Sequence, residues 1–111
     1  MRAKAAAAVL ALSLVLSACE EGETGVFRGV FFYGFETSDF RVCGSNEIWW
    51  ASGNLKPLID VTPAPGSRGV YAEIQGELSP PGSYGHLGMY PREIEIRKVR
   101  RVLAVAEADC F

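Results

Sequence analysis

The sequence predicts an all-β fold, a small and partly open five-stranded barrel with at most one short helix. Three observations support this fold class. Apolar and polar residues alternate over residues 70–75 and again over 93–97, as they do in half-buried strands. Other short segments are rich in Val, Phe, Tyr and Trp. Glycines and prolines separate the segments, which is typical of turns and loops.

Each element can be placed along the chain. The predicted strands are residues 26–33, 40–43, 47–52, 70–75 and 93–97, and the predicted loops are residues 62–68 and 79–88. Residues 55–61 can hold one or two helical turns. Pro57 fits near the start of such a turn, where its missing amide hydrogen would have no partner anyway. Gly29 lies where the first strand can bend.

Residues 97–106 fit two structures. In a helix, Val99, Val102, Leu103 and Ala106 share one face, and the arginines lie on another. In a strand, the same apolar residues stay together only if a β-bulge lies near Val99. Periodicity alone slightly favours the helix. Five short strands, a helical turn and glycines at bends together describe the OB-fold, a small Greek-key barrel.

The first 19 residues resemble a bacterial lipoprotein signal. A short basic start precedes residues 5–16, which are apolar except for Ser13, and Leu16-Ser-Ala-Cys19 follows. The apolar run is shorter than the ~20 residues of a membrane-spanning helix. We expect cleavage before Cys19, a diacylglycerol on its thiol and a third acyl chain on its amino group. The alternative is an ordinary cleaved signal with a cysteine near the cut by chance.

Acylation predicts a domain organisation and a location. Residues 1–18 are then the signal peptide, 19–25 the lipidated cysteine with a tether, and 26–111 the barrel domain. Two or more acyl chains hold a protein stably on a membrane. Glu20 stands where Asp is associated with inner-membrane retention, which favours the periplasmic face of the outer membrane.

Charge and cysteine content narrow the function classes. Loss of Arg2 and Lys4 with the signal leaves nine basic and 13 acidic residues, a formal charge of about −4. An acidic protein lacks the basic footprint that nucleic acids need, so we expect no nucleic-acid partner. Cys43 and Cys110 remain after lipidation, and an oxidising compartment favours a disulfide between them. A free or redox-active pair is the alternative.

Four features of residues 26–111 carry a family resemblance. They are Gly29-Val-Phe-Phe-Tyr, Phe40-Arg-Val-Cys43, Val70-Tyr-Ala-Glu-Ile-Gln-Gly-Glu-Leu78 and the late Cys110. Together they resemble the C-terminal domain of NlpE-type outer-membrane lipoproteins. The resemblance implies an OB-like barrel, a Cys43–Cys110 disulfide and a strand over residues 94–105, which we follow. The chain lacks the N-terminal Cys-x-x-Cys domain of that family, so copper handling and stress signalling do not carry over.

Aromatic residues and the one histidine suggest a binding surface. Trp49 and Trp50 are neighbours on a strand, so one indole should enter the core while the other faces outward. An exposed indole could stack on sugar rings or on a partner protein, unless a helix or loop covers it. Tyr84 and Tyr90 flank His86 and extend the candidate surface. For His86 the main alternative is a loop-ordering role, because one histidine makes neither a metal site nor a catalytic dyad.

The remaining motifs favour a binding protein over an enzyme. No carboxylate pair, phosphate-binding glycine motif or nucleophile elbow stands out, so we expect no catalysis, cofactor or metal. The basic run of Arg97, Lys98, Arg100 and Arg101 is either a solvated edge or a contact for anionic head groups.

We therefore expect a membrane-anchored module for binding or envelope maintenance, with a periplasmic protein as the candidate partner and the oligomeric state left open. One alternative is an inhibitor of a lysozyme-type enzyme, in which residues 79–88 enter the cleft and His86 or Tyr84 contacts catalytic carboxylates. The other alternative is an envelope-stress sensor of redox state or metal that uses Cys43–Cys110 chemistry.

Overall fold

The structure is a computed structural model that describes residues 22–62, 69–104 and 110. Its strands are β1 (Glu23–Gly34), β2 (Thr37–Val42), β3 (Ile48–Gly53), β4 (Val70–Leu78) and β5 (Glu93–Ala104). The short helix α1 (Lys56–Ile59) lies between β3 and β4, with a proline in its first turn as predicted. A 3₁₀ turn (His86–Gly88) lies between β4 and β5. The predicted all-β fold class is confirmed.

The five strands close into a barrel in the order β1-β2-β3-β5-β4, with β4 returning to β1. Neighbouring strands are antiparallel except β3 and β5, which run parallel. Strand β1 pairs with β4 along residues 23–31 and with β2 along residues 29–34, so it bends from one neighbour to the other. The β2–β3 and β3–β5 seams are the shortest, with three and four residue pairs. The barrel is therefore least continuous around β3.

Gly29 lies where β1 pairs with both neighbours. A Cβ atom at this position would stand 2.5 Å from the Arg41 carbonyl oxygen and 2.6 Å from the Phe40 ring. Real Cβ atoms do not approach backbone atoms so closely. The bend of β1 therefore depends on a glycine, as the sequence predicted for this strand.

The barrel interior is filled by alternate residues of the strands. Leu58 of α1 is fully buried in the same cluster and anchors the helix to the barrel. The buried Ser38 hydroxyl donates a hydrogen bond of 2.7 Å to the Ala51 carbonyl oxygen, which satisfies a polar group inside the seam between β2 and β3. The other members of the interior cluster are Phe31, Phe40, Trp49, Ala51, Val70, Ala72, Ile74, Leu78, Ile94 and Ile96.

Residues 93–104 form one strand, β5. The segment that fitted either a helix or a strand is therefore a strand as far as Ala104. Its pairing with β4 shifts register twice, so that Arg97 and Arg100 have no paired residue while Val99 faces Ile74. These irregularities lie on both sides of Val99, where a strand needed a bulge. The helix suggested by the spacing of the apolar residues was wrong. Each unpaired residue shifts the in–out alternation of the strand by one position, and this produces a helix-like spacing.

Strand β1 begins before the predicted domain boundary. Glu23, Thr24 and Gly25 pair with Leu78, Glu77 and Gly76 of β4, so they belong to the barrel and not to a tether. The prediction of a tether over residues 19–25 is corrected at its C-terminal end. It missed that a polar segment can lie on an outer barrel face. Within the described ranges, no helix is long and apolar enough to cross a membrane.

A second apolar cluster lies outside the barrel. Cys43 and Cys110 form the predicted disulfide, with sulfur atoms 2.00 Å apart. The Gly44 amide also donates a hydrogen bond of 3.2 Å to the Cys110 carbonyl oxygen. Buried Val30 and Tyr71 pack with Cys110, and Phe32, Cys43 and Leu103 complete what we call the disulfide patch. The disulfide therefore fixes Cys110 against outward-facing apolar side chains of the barrel.

Candidate ligand groove between two loops

Two loops meet over the outer faces of β2 and β3. The first loop is residues 35–36, the turn between β1 and β2, and the second loop is residues 79–92, which connects β4 to β5. His86 Nε2 of the second loop lies 3.0 Å from Glu36 Oε2 of the first. The Tyr90 hydroxyl donates a hydrogen bond to the Asp39 carboxylate on β2. The first contact joins the two loops, and the second fixes the second loop to β2.

The second loop is shaped by its own backbone. The amides of Tyr84 and Tyr90 donate to each other's carbonyl oxygens at 2.9 and 3.1 Å, and the Tyr84 hydroxyl donates to the Pro80 carbonyl oxygen at 2.7 Å. Gly85 has φ of 68°. A Cβ atom there would stand 2.4 Å from Cδ2 of Trp50, so the backbone of Gly85 lies directly on the indole. The loop therefore folds back onto β3.

The predicted aromatic surface is brought together only in part. Trp50 packs edge-to-face with Tyr90, with ring centroids 5.1 Å apart, and Gly85 covers it. This matches the alternative in which a loop covers the outward indole. Trp49 is 4% exposed inside the barrel, so its inclusion in the candidate surface was wrong. Alternation placed one indole inside, but it does not tell which of two neighbours faces the core.

A groove of about 610 Å³ opens beside these contacts. Its walls are contributed by both loops, by β2, and by the turn between β2 and β3. We call it the two-loop groove. It is lined by Glu36, Asp39, Asn46, Glu47, Ile48, His86, Met89, Tyr90 and Pro91. Three of these side chains are carboxylates and none is a lysine or an arginine, so the groove is acidic.

Exposed apolar side chains stand on the same two loops. Phe35 is 89% exposed, Leu87 is 80% exposed and Met89 is 74% exposed. Glu36 and Leu87 both have φ of 56°, which is uncommon for residues other than glycine. Large apolar side chains that remain in water on two touching loops are typical of a binding surface.

Tyr90 is the group in the groove whose acidity changes most clearly. Burial raises its pKa from 10.0 to about 12, and the hydrogen bond and negative charge of Asp39 act in the same direction. Tyr90 therefore stays protonated at neutral pH. It serves as a hydrogen-bond donor that fixes the second loop to β2.

Other predicted features lie away from this groove. Arg97 lies 2.6 Å from Glu77, and Arg101 lies 3.5 Å from Glu73, so part of the basic run is neutralised on the barrel surface. This favours the solvated-edge interpretation of that run. In the part of the chain that the structure describes, no three His, Cys, Asp or Glu side chains are grouped to hold a metal ion.

Sequence reasoning did not find the acidic wall. Glu36, Asp39 and Glu47 lie close together in sequence, but no local pattern shows that the fold turns all three side chains toward one groove. One local signal was available, because Phe35-Glu36 separates two strand segments and places a large apolar residue in a turn. Comparisons with protein-family models, with curated proteins and with solved structures return no match. The geometry of the groove is therefore the basis for a functional proposal.

Proposed function

We propose that this protein is a lipid-anchored binding module of the bacterial envelope, and that it captures its ligand in the two-loop groove. The single observation that carries the proposal is the exposure of Phe35, Leu87 and Met89 beside an acidic groove. Single exposed apolar side chains are common on proteins, but a group of them beside a groove marks a candidate interaction surface. Binding covers them and gains the hydrophobic free energy that the folded barrel alone does not obtain.

The anchor part of the proposal rests on Cys19 and the lipoprotein-like signal. Because β1 already starts at Glu23, only residues 20–22 separate the acylated cysteine from the barrel. Extended, that connection reaches about 14 Å. The barrel would then work close to the periplasmic face of the outer membrane, and its ligands would be other components found there.

The two alternative functions find less support. The inhibitor would place residues 79–88 in an enzyme cleft, but the Tyr84 hydroxyl is already bonded to the Pro80 carbonyl oxygen. Carboxylates in the groove would also repel those of an enzyme cleft. For a redox switch, Cys43 is partly exposed whereas Cys110 is 8% exposed, and the packing of Cys110 with Val30 and Tyr71 favours a structural disulfide. We keep the binding module as the proposed function.

The experiment compares capture of envelope proteins by matched variants of the full chain, purified from membranes in a nonionic detergent. Phe35→Ser and Met89→Ser remove apolar surface from the two loops. Val61→Ser removes an exposed apolar side chain outside the groove lining and serves as the control. We expect Val61→Ser to retain a partner that the two loop variants lose. Equal capture by all three variants would contradict the role of the groove.

The anchor has its own test. Cys19→Ala removes the thiol that the diacylglycerol would occupy, so we expect a protein that no longer carries labelled palmitate and that shifts to the soluble fraction. Ser17→Ala changes a small residue beside the cut and serves as the control. Continued palmitate labelling of Cys19→Ala would contradict the lipid anchor.

A further inference from the structure

Two depressions lie side by side along β2 and β3. The first is the two-loop groove. The second has a volume of about 440 Å³ and is lined by Tyr33, Gly34, Glu36, Thr37, Ser38, Trp50, Ala51, Ser52, Gly53 and Leu55. Glu36 lines both of them, so its contact with His86 lies at the point where the two depressions meet. An occupant that reaches both depressions must pass this contact.

The contact between Glu36 and His86 can be exchanged at low cost. Both side chains are partly exposed, and pairs of this kind contribute little to stability. Among the residues that line the groove, His86 is also the one side chain able to carry a positive charge. It occupies the place on Glu36 that a cationic group of a ligand would take.

The charges and apolar groups together select the occupant. Glu36, Asp39 and Glu47 attract positive charge and repel phosphate-bearing nucleic acids and anionic membrane surfaces. Apolar side chains in the same ligand could pack on the exposed Phe35, Leu87 and Met89. A neutral sugar chain carries no positive charge, so the acidic wall would not favour it over a basic polypeptide. An extended polypeptide offers both kinds of side chain on one backbone.

We propose that the two-loop groove binds an extended, basic segment of a partner protein, and that a lysine or arginine of this segment replaces His86 on Glu36. Apolar side chains of the same segment pack on Phe35, Leu87 and Met89, and its backbone continues toward the second depression. This inference rests on the proposed function, because it names the ligand class of the same groove.

The test titrates the full chain in nonionic detergent with three defined probes. They are a hexapeptide that alternates lysine and leucine, its counterpart that alternates glutamate and leucine, and a hexamer of N-acetylglucosamine. Trp50 borders the second depression, so its fluorescence reports binding. A Trp50→Phe variant identifies the signal of the buried Trp49. We expect saturable binding of the lysine peptide and no binding of the other two probes.

Variants separate the role of each charge. Glu36→Gln and Glu47→Gln should weaken binding of the lysine peptide about three- to fivefold, as expected for partly exposed charge pairs. His86→Gln should leave binding unchanged or strengthen it, because it removes the competitor for Glu36. Glu95→Gln removes a carboxylate on the outer face of β5 and should have no effect.

Three outcomes would overturn the proposal. They are equal binding of the glutamate peptide, binding of the sugar hexamer in place of the peptide, and a loss in His86→Gln as large as that in Glu36→Gln. Absence of binding by all probes would also overturn it. If the loop variants still lose their captured partner in that case, the groove remains a binding site and only the ligand class is wrong. If capture is independent of the groove, the proposed function itself fails.

Discussion

Two patches on the outside of the barrel carry outward-facing aromatic and apolar residues, and they are covered in different ways. In the disulfide patch, Val30 and Tyr71 are almost fully buried and pack with Cys110, which the disulfide holds in place. In the second patch, which we call the indole patch, the backbone of Gly85 lies on Trp50, which packs edge-to-face with Tyr90, and both aromatic residues stay partly exposed. One cover is covalent and the other depends on hydrogen bonds and packing.

The difference indicates which patch is structural and which can change. The covalent cover cannot leave while the disulfide is intact, so the disulfide patch behaves as an extension of the core. The cover of the indole patch is a loop held by the Tyr90–Asp39 hydrogen bond and the Glu36–His86 contact. Such a loop can open locally without unfolding the barrel. The ligand groove lies beside the patch that can open.

The largest expected effect is loss of the covalent cover. The disulfide joins residues 67 positions apart, and a loop of that size is worth about 4 kcal/mol in the chain-entropy model. Cys43→Ser should lower the free energy of unfolding by several kcal/mol, because it also frees the cover over Val30 and Tyr71. Urea denaturation of the full chain measures this change through the midpoint.

The matched controls for that change are Cys110→Ser and the double variant. All three proteins lack the same bond, so their denaturation midpoints should agree. A midpoint of Cys43→Ser equal to that of the unsubstituted protein would contradict a structural role for the disulfide. It would also remove the contrast between the two patches.

An intermediate effect is expected from Gly85→Ala at the indole patch. The new Cβ would press on Trp50, and alanine is strained at φ of 68° by about 1–2 kcal/mol. The second loop should lift from β3, which exposes Trp50 and shifts its fluorescence to longer wavelength. The denaturation midpoint should change less than in Cys43→Ser, because the barrel does not depend on this loop.

Gly88→Ala is the control for this substitution. Gly88 also has a positive φ, of 64°, but a Cβ there would come no closer than 3.5 Å to Ser83. It reproduces the backbone strain without the collision. If both variants shift the fluorescence equally, backbone strain in the loop, and not the collision with Trp50, is what lifts the loop.

The disulfide patch was more predictable from the sequence than the indole patch. With Cys19 assigned to lipidation, the two remaining cysteines have one way to pair, so the Cys43–Cys110 disulfide could be predicted from their number and from an expected oxidising compartment. Strand alternation similarly gave β4 and the start of β5. Strand alternation and the number of cysteines are both read directly from the sequence, so neither requires knowledge of the fold.

The indole patch and its groove depend on contacts between distant segments. Glu36 meets His86 and Asp39 meets Tyr90 across about 50 positions of chain, and no local pattern links these residues. The choice of Trp49 over Trp50 for the core depends on the register of β3 against β2 and β5. A one-residue shift of that register would exchange the two indoles.

The smallest expected effect concerns the hydrogen bond from Tyr90 to Asp39. Burial and the Asp39 carboxylate raise the pKa of Tyr90 from 10.0 to about 12 in the folded protein. Its contribution to stability is therefore fully present below pH 10 and is lost as the pH rises through about 12. Tyrosinate absorbance should show one late step near pH 12, which Tyr90→Phe removes and Asp39→Asn moves to lower pH. A late step that persists in Tyr90→Phe would mean that another residue titrates there and that the hydrogen bond does not hold the cover of the indole patch.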